Sequence, residues 1–76
     1  MKIKLKGQKV ILNDWKKIKH LTTKTLTGVG VDVEYEIVIE YPEDGFNRIR
    51  RNTFTYEKEN EMIKDYQRLL IKVLLK

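Results

Sequence analysis

Lys16, Lys17, Lys19, His20 and Lys24 crowd around Trp15, with Thr22, Thr23, Thr25 and Thr27 among and beside them. Lysine ammonium groups neutralise phosphates, threonine hydroxyls bond them, and an exposed indole stacks on a base. That combination suits polyanion binding. Trp15, Lys16, Lys17, Lys19 and Lys24 are the residues expected to carry it, in a nucleic-acid-binding module built on the lysine-rich residues 1–24. The same lysines have a plainer use as cross-strand partners for Asp32, Glu34 and Glu36. Trp15 has one too, as a core side chain. Lysine unaccompanied by arginine is a weak reader of base edges.

Other groupings offer less chemistry. Asp32, Glu34, Glu36 and Glu40 repeat at every second position or a multiple of it. Same-face strand neighbours lie about 7 Å apart, too wide to share a cation, so salt bridging is the expected role. Arg48, Arg50 and Arg51 suit bidentate contacts with phosphate or carboxylate, and Glu34, Glu36 and Glu40 on the preceding strand are their expected partners. His20 has no second histidine or cysteine to share a metal with, and no metal or other cofactor is expected. Gly28-x-Gly30 lacks the third glycine and following helix of a dinucleotide fingerprint, so it reads as a turn. No nucleophile, base and orienting group converge, and an enzyme is not expected.

The elements that must hold these residues come from 76 residues with 41% apolar and 36% charged side chains. That is one small domain, 1–76, with a single economical core. Cysteine is absent, which excludes disulfides and thiol chemistry. The net charge of +5 is unevenly placed: residues 1–30 carry +7, residues 31–46 carry −6, and Arg48, Arg50 and Arg51 restore +3. Twelve lysines and eight isoleucines fit an AT-rich coding source such as a phage or mobile element. Lysine at every second position from Lys2 to Lys6 leaves no continuous apolar stretch for a signal peptide, and the C-terminal run is too short to span a bilayer. The expectation is a cytoplasmic protein with no membrane partner and no small-molecule substrate.

Strict alternation over 2–6 predicts a strand with Ile3 and Leu5 on one side, and 9–12 predicts its neighbour, turned at Gly7-Gln8. Trp15, Ile18, Leu21 and Thr22 fit a helical spacing, whereas the threonines favour a strand. The reading is a turn over 14–17 and a strand over about 18–27. Gly28-Val29-Gly30 then turns the chain into a strand over 31–41. Pro42-Glu43-Asp44-Gly45 ends that strand and leads to another over 46–56. There the apolar parity changes between Ile49 and Phe54, which predicts a β-bulge near Arg51-Asn52. From about 58 to 75 the period becomes 3.6: Met62, Ile63, Tyr66, Leu69, Leu70, Val73 and Leu74 share one arc. Thr55 and Asn60 are candidate caps. Ile71 and Leu75 fall outside the arc and suggest a partner interface.

The fold class is therefore α+β, a small antiparallel four- or five-stranded sheet, curled or SH3-like, packed by one C-terminal helix. Lys2-Ile3-Lys4-Leu5-Lys6-Gly7, the Asn13-Asp14-Trp15-Lys16-Lys17-Ile18 turn and the closing helix are similar in layout to the small basic chromatin proteins of thermophilic archaea. That resemblance implies a five-stranded SH3-like barrel. The family carries its DNA face on the middle three strands, and here the central one is acidic, so the chain is not assigned to it. Two functions are expected. One is a non-catalytic nucleic-acid-binding module. The other is a protein-interaction domain of a phage or mobile element, which binds or inhibits a host protein or self-associates through Ile71 and Leu75.

Overall fold

A computed structural model describes residues 1–13, 15–28, 30–43 and 48–75. The elements are β1 (Lys2–Leu5), β2 (Gln8–Ile11), a 3-10 turn (Trp15–Lys17), β3 (His20–Gly28), β4 (Val31–Glu43), β5 (Arg48–Tyr56) and α1 (Glu59–Leu74). The class is α+β. The sheet differs from the expected one: β3, β4 and β5 form a three-stranded antiparallel sheet, β1 and β2 form a separate two-stranded one, and no barrel is closed.

The separation begins at the end of β2. Leu12 and Met1 exchange backbone hydrogen bonds, which extends the hairpin by one more pair. The 3-10 turn then redirects the chain, and β3 pairs with β4 instead of β2. The hairpin reaches the rest of the molecule through side chains. Its turn is the two-residue Lys6-Gly7, with φ of 55° and 72°. Positive φ at both positions is what a tight turn with the twist of the flanking strands requires. This turn, one residue earlier than the sequence suggests, sets Ile3 opposite Val10 and Lys4 opposite Lys9. Ile3 and Leu5 are buried, and Val10 is half-buried against the same core.

Alternation on β4 places Ile37, Ile39 and Tyr41 in that core beside Leu12, Ile18, Tyr56, Met62 and Leu69. β4 continues past Tyr41, and Pro42 stays in register opposite Ile49. A proline is tolerated there because the β3 pairing starts only at His20, opposite Glu40, leaving no ladder on that side to lose. The Asp44-Gly45 turn signal and residues 46–47 of the expected last strand lie outside the described residues, as does Val29.

The bulge expected near Arg51-Asn52 is absent. β4 and β5 pair without interruption from Tyr35↔Tyr56 to Glu43↔Arg48. No parity change is needed because polar side chains occupy the Tyr41 side of β5. The Asn52 amide donates to the Tyr41 hydroxyl at 3.5 Å, and the Arg50 guanidinium lies 4.5 Å from the Tyr41 ring centroid. The irregularity falls instead between Leu26 and Gly28, where Asp32 and Val33 of β4 together oppose Thr27.

On α1, Met62 and Leu69 are buried, and Tyr66, Leu70 and Val73 are half-buried. Glu59 and Glu61 occupy the first turn, where the helix dipole favours acids. The N-cap is Lys58, with no side-chain cap; Thr55 lies in β5, and Asn60 accepts only from the adjacent Glu61 amide. Ile63 and Leu74, assigned by periodicity to the buried arc, sit at its exposed rim.

Leu69 is fully buried, whereas Leu75 is 80% exposed. Leu69→Ala is expected to cost about 2–5 kcal/mol, a large part of the roughly 4–11 kcal/mol that a chain of this size commands. Leu75→Ala should stay within about 0.5 kcal/mol. Urea unfolding of both variants measures the contrast, and equal midpoints would show that α1 does not close the core.

Candidate nucleic-acid interface

The residues singled out from the sequence do not form one patch. Trp15, Lys16 and Lys17 share the 3-10 turn. Trp15 is half-buried and packs against the core, its carbonyl accepts from the Ile18 amide at 3.3 Å, and Lys16 Nζ lies 5.7 Å from its ring centroid. An indole held this way is a packing side chain first. Lys19 is exposed, and its amide donates to the Glu40 carbonyl at 2.8 Å. Lys24 lies five residues further along β3, about 16 Å at strand rise. It is exposed directly across from Glu36.

Lys24 therefore belongs to the outer face of the larger sheet. There His20, Thr22 and Leu26 on β3 stand opposite Glu40, Val38 and Glu34 on β4, with Arg51 and Thr53 beyond. Glu40 and Arg51 form an ion pair at 3.5 Å. The even-numbered acids dominate this face, so the expected cross-strand salt-bridge role fits it better than phosphate binding does. Ile71 and Leu75 are 57% and 80% exposed, at the C-terminal end of α1.

A different basic surface emerges from the register. The outward side of the hairpin carries Lys2 opposite Ile11 and Lys4 opposite Lys9, all exposed. Residues 1–13 hold no acid. Like charges directly opposite across a strand pair repel, and this hairpin has no internal answer to them. Alternation made Lys2 and Lys4 legible as outward, but only the register shows what Lys4 faces.

A buried carboxylate fixes this hairpin to α1. Asp65 Oδ2 accepts from the Lys6 amide at 2.9 Å and from the Tyr56 hydroxyl at 2.7 Å. Its Oδ1 accepts from Arg68, and the Arg68 guanidinium also donates to the Lys4 carbonyl. Arg68 is thus held beside β1, with Lys64 and Lys72 one turn before and after it on the same flank of the helix. The arrangement joins the basic flank of α1 to the basic side of the hairpin. Periodicity gave no hint of it, because an acid among polar helix positions looks like solvated surface.

The electrostatics of the cluster are consistent with ionised Asp65 and neutral Tyr56. Burial pushes the Asp65 carboxyl up, but the Lys6 amide, the Tyr56 hydroxyl and Arg68 together outweigh it and hold its pKa below the ordinary 3.8. Burial, then the adjacent Asp65, raises the Tyr56 hydroxyl well above its ordinary 10.0. Beside the cluster, an open cleft of about 530 Å³ is lined by Lys6 and Lys64 and by the acids Glu57, Glu61 and Asp65. Among the described residues, no group of three His, Asp or Glu could hold a metal ion. No helix among them is long and apolar enough to cross a membrane.

Because the folded pKa of Asp65 is depressed, its stabilisation is complete above the unfolded value and is lost as pH falls through the folded one. The melting temperature should therefore drop as pH is lowered from about 4. Asp65→Asn should cost about 2–3 kcal/mol at neutral pH and flatten that acid limb. Identical acid limbs in the two proteins would show that the cluster does not hold the hairpin.

Compared with protein-family models, with curated proteins and with solved structures, the chain matches none.

Proposed function

We propose that this domain binds nucleic acid through its phosphate backbone, using the outward face of the β1–β2 hairpin and the adjoining flank of α1. The observation that carries this reading is Lys4 directly across from Lys9 on a hairpin without acids. A strand pair built only for stability would place opposite charges there. A phosphate between the two ammonium groups removes the repulsion. Lys64 and Lys72 extend the charge along α1, while Arg68, already bonded to Asp65 and the Lys4 carbonyl, positions that flank. Lys16 and Lys17 follow Leu12 within five residues, so they lie no more than about 18 Å of chain from the hairpin's open end.

Recognition of this kind is non-catalytic and largely blind to sequence. Lysines neutralise phosphate without reading base edges, and Trp15 is half-buried against the core instead of standing free as a stacking platform. Affinity should fall steeply with salt. Five or six neutralised phosphates give a log–log slope of about −4.5 to −5.5 on duplex DNA. A second reading, a protein partner or self-association through α1, is favoured by the exposed Ile71, Leu74 and Leu75 near its C-terminal end.

Lys9→Glu separates function from stability. It turns a like-charge pair into an opposite-charge pair, so it should raise stability by about 0.2–1 kcal/mol while lowering the magnitude of the salt slope by about one to two. A thermal melt and a salt-dependent titration on duplex DNA read both effects. An absence of binding at about 50 mM salt would end the nucleic-acid reading in favour of the protein-partner one.

A further inference from the structure

β3 and β4 run beyond the end of β5. The β4–β5 pairing stops at Tyr35↔Tyr56, so residues 26–28 and 31–34 form a two-stranded ribbon beyond the three-stranded part of the sheet. Leu26, Thr27, Asp32, Val33 and Glu34 are all exposed. A two-stranded ribbon is marginally stable by itself in water. Among the described residues, none of this ribbon's side chains joins the core, and Leu26 is 40% exposed. The ribbon's charge is one-sided, Asp32 and Glu34 with no base, and the adjoining row of the sheet sets Lys24 opposite Glu36.

We propose that the outer face of this ribbon docks on the outward face of the β1–β2 hairpin of a second copy of the chain. The two surfaces match in their outermost row and in the charges carried by β4 and β1. On the ribbon, exposed Leu26 stands directly across from Glu34; on the hairpin, Ile11, 61% exposed, stands directly across from Lys2. The next row, where the ribbon joins the three-stranded sheet, holds Glu36 opposite Lys24, and on the hairpin Lys4 opposite Lys9. Same-face residues repeat at about 6.7 Å along both, and two such layers pack about 10 Å apart. Leu26 then covers Ile11 of the second copy, and along β4 Glu34 meets Lys2 and Glu36 meets Lys4 of that copy's β1. A second copy is the partner because this chain itself presents the complementary surface. The contact joins unlike faces, so it is made twice in a closed pair or repeated along a row of molecules.

The inference does not rest on nucleic-acid binding, and its test contains no nucleic acid. Sedimentation equilibrium at about 20 mM salt, where screening is weak, should show wild-type mass rising with concentration. Reversing the acids of the docking face (Glu34→Lys with Glu36→Lys) or the hairpin (Lys2→Glu with Lys4→Glu) should weaken association at least about tenfold. An equimolar mixture of the two variants should restore it, because each then offers the charge the other lacks. Wild-type protein that stays monomeric up to about 1 mM overturns the proposal. So does association that survives both reversals but is lost with Ile71→Lys and Leu75→Lys, which places the contact on α1. Should a reversed variant not fold, the wild type alone decides: its association should vanish between about 20 and 500 mM salt, and salt-insensitive association overturns the proposal.

Discussion

The structure depends on one buried carboxylate. Asp65 joins three pieces that no backbone ladder connects: the turn of the hairpin through the Lys6 amide, the end of β5 through the Tyr56 hydroxyl, and Arg68 on its own helix. A chain of this size has little apolar surface to spare, and its two sheets meet only through side chains. Hydrophobic contact between Ile3, Leu5 and the Ile37–Ile39 strip draws the hairpin toward the larger sheet but is not directional. The hydrogen bonds to Asp65 supply the direction. They explain how an acid can be buried here: the Lys6 amide, the Tyr56 hydroxyl and Arg68 all donate to it, and the Arg68 charge is close.

What the sequence made legible was the local part. Alternation marks Ile37, Ile39 and Tyr41 as core, and the 3.6-residue period marks Met62 and Leu69, because both depend only on which side of an element faces water. The misreadings lie where tertiary pairing overrides local pattern. The apolar residues of β5 change parity, yet the strand stays regular, since Asn52 and Arg50 satisfy themselves on Tyr41. Five strands do not make one sheet, because the 3-10 turn sends β3 away from β2. Asp65 was invisible for the same reason: its partners lie 9 and 59 residues away.

The proposed binding surface shows the same division. Trp15, Lys16 and Lys17 stay neighbours because the sequence makes them so, while Lys24 is carried by its strand onto the acidic face of the sheet. Lys4 and Lys9 meet only through a register that a one-residue slip would have changed. The basic and acidic blocks of the chain thus become different surfaces of the molecule, and their distribution on the fold says more about partners than the net charge of +5 does.

The span between Lys4 or Lys6 and their partners also has a kinetic meaning. The hairpin closes through a two-residue turn, β3 to β5 pair with their immediate neighbours, and α1 follows β5 after only two residues. All of these are short-loop events. The bonds from Arg68 to Lys4 and from Lys6 to Asp65 close loops of 64 and 59 residues, the longest among the described side-chain hydrogen bonds. Loop-closure entropy places such contacts late in folding. The larger sheet and the helix assemble as one unit, and the hairpin, the first segment of the chain, is the last to take its place.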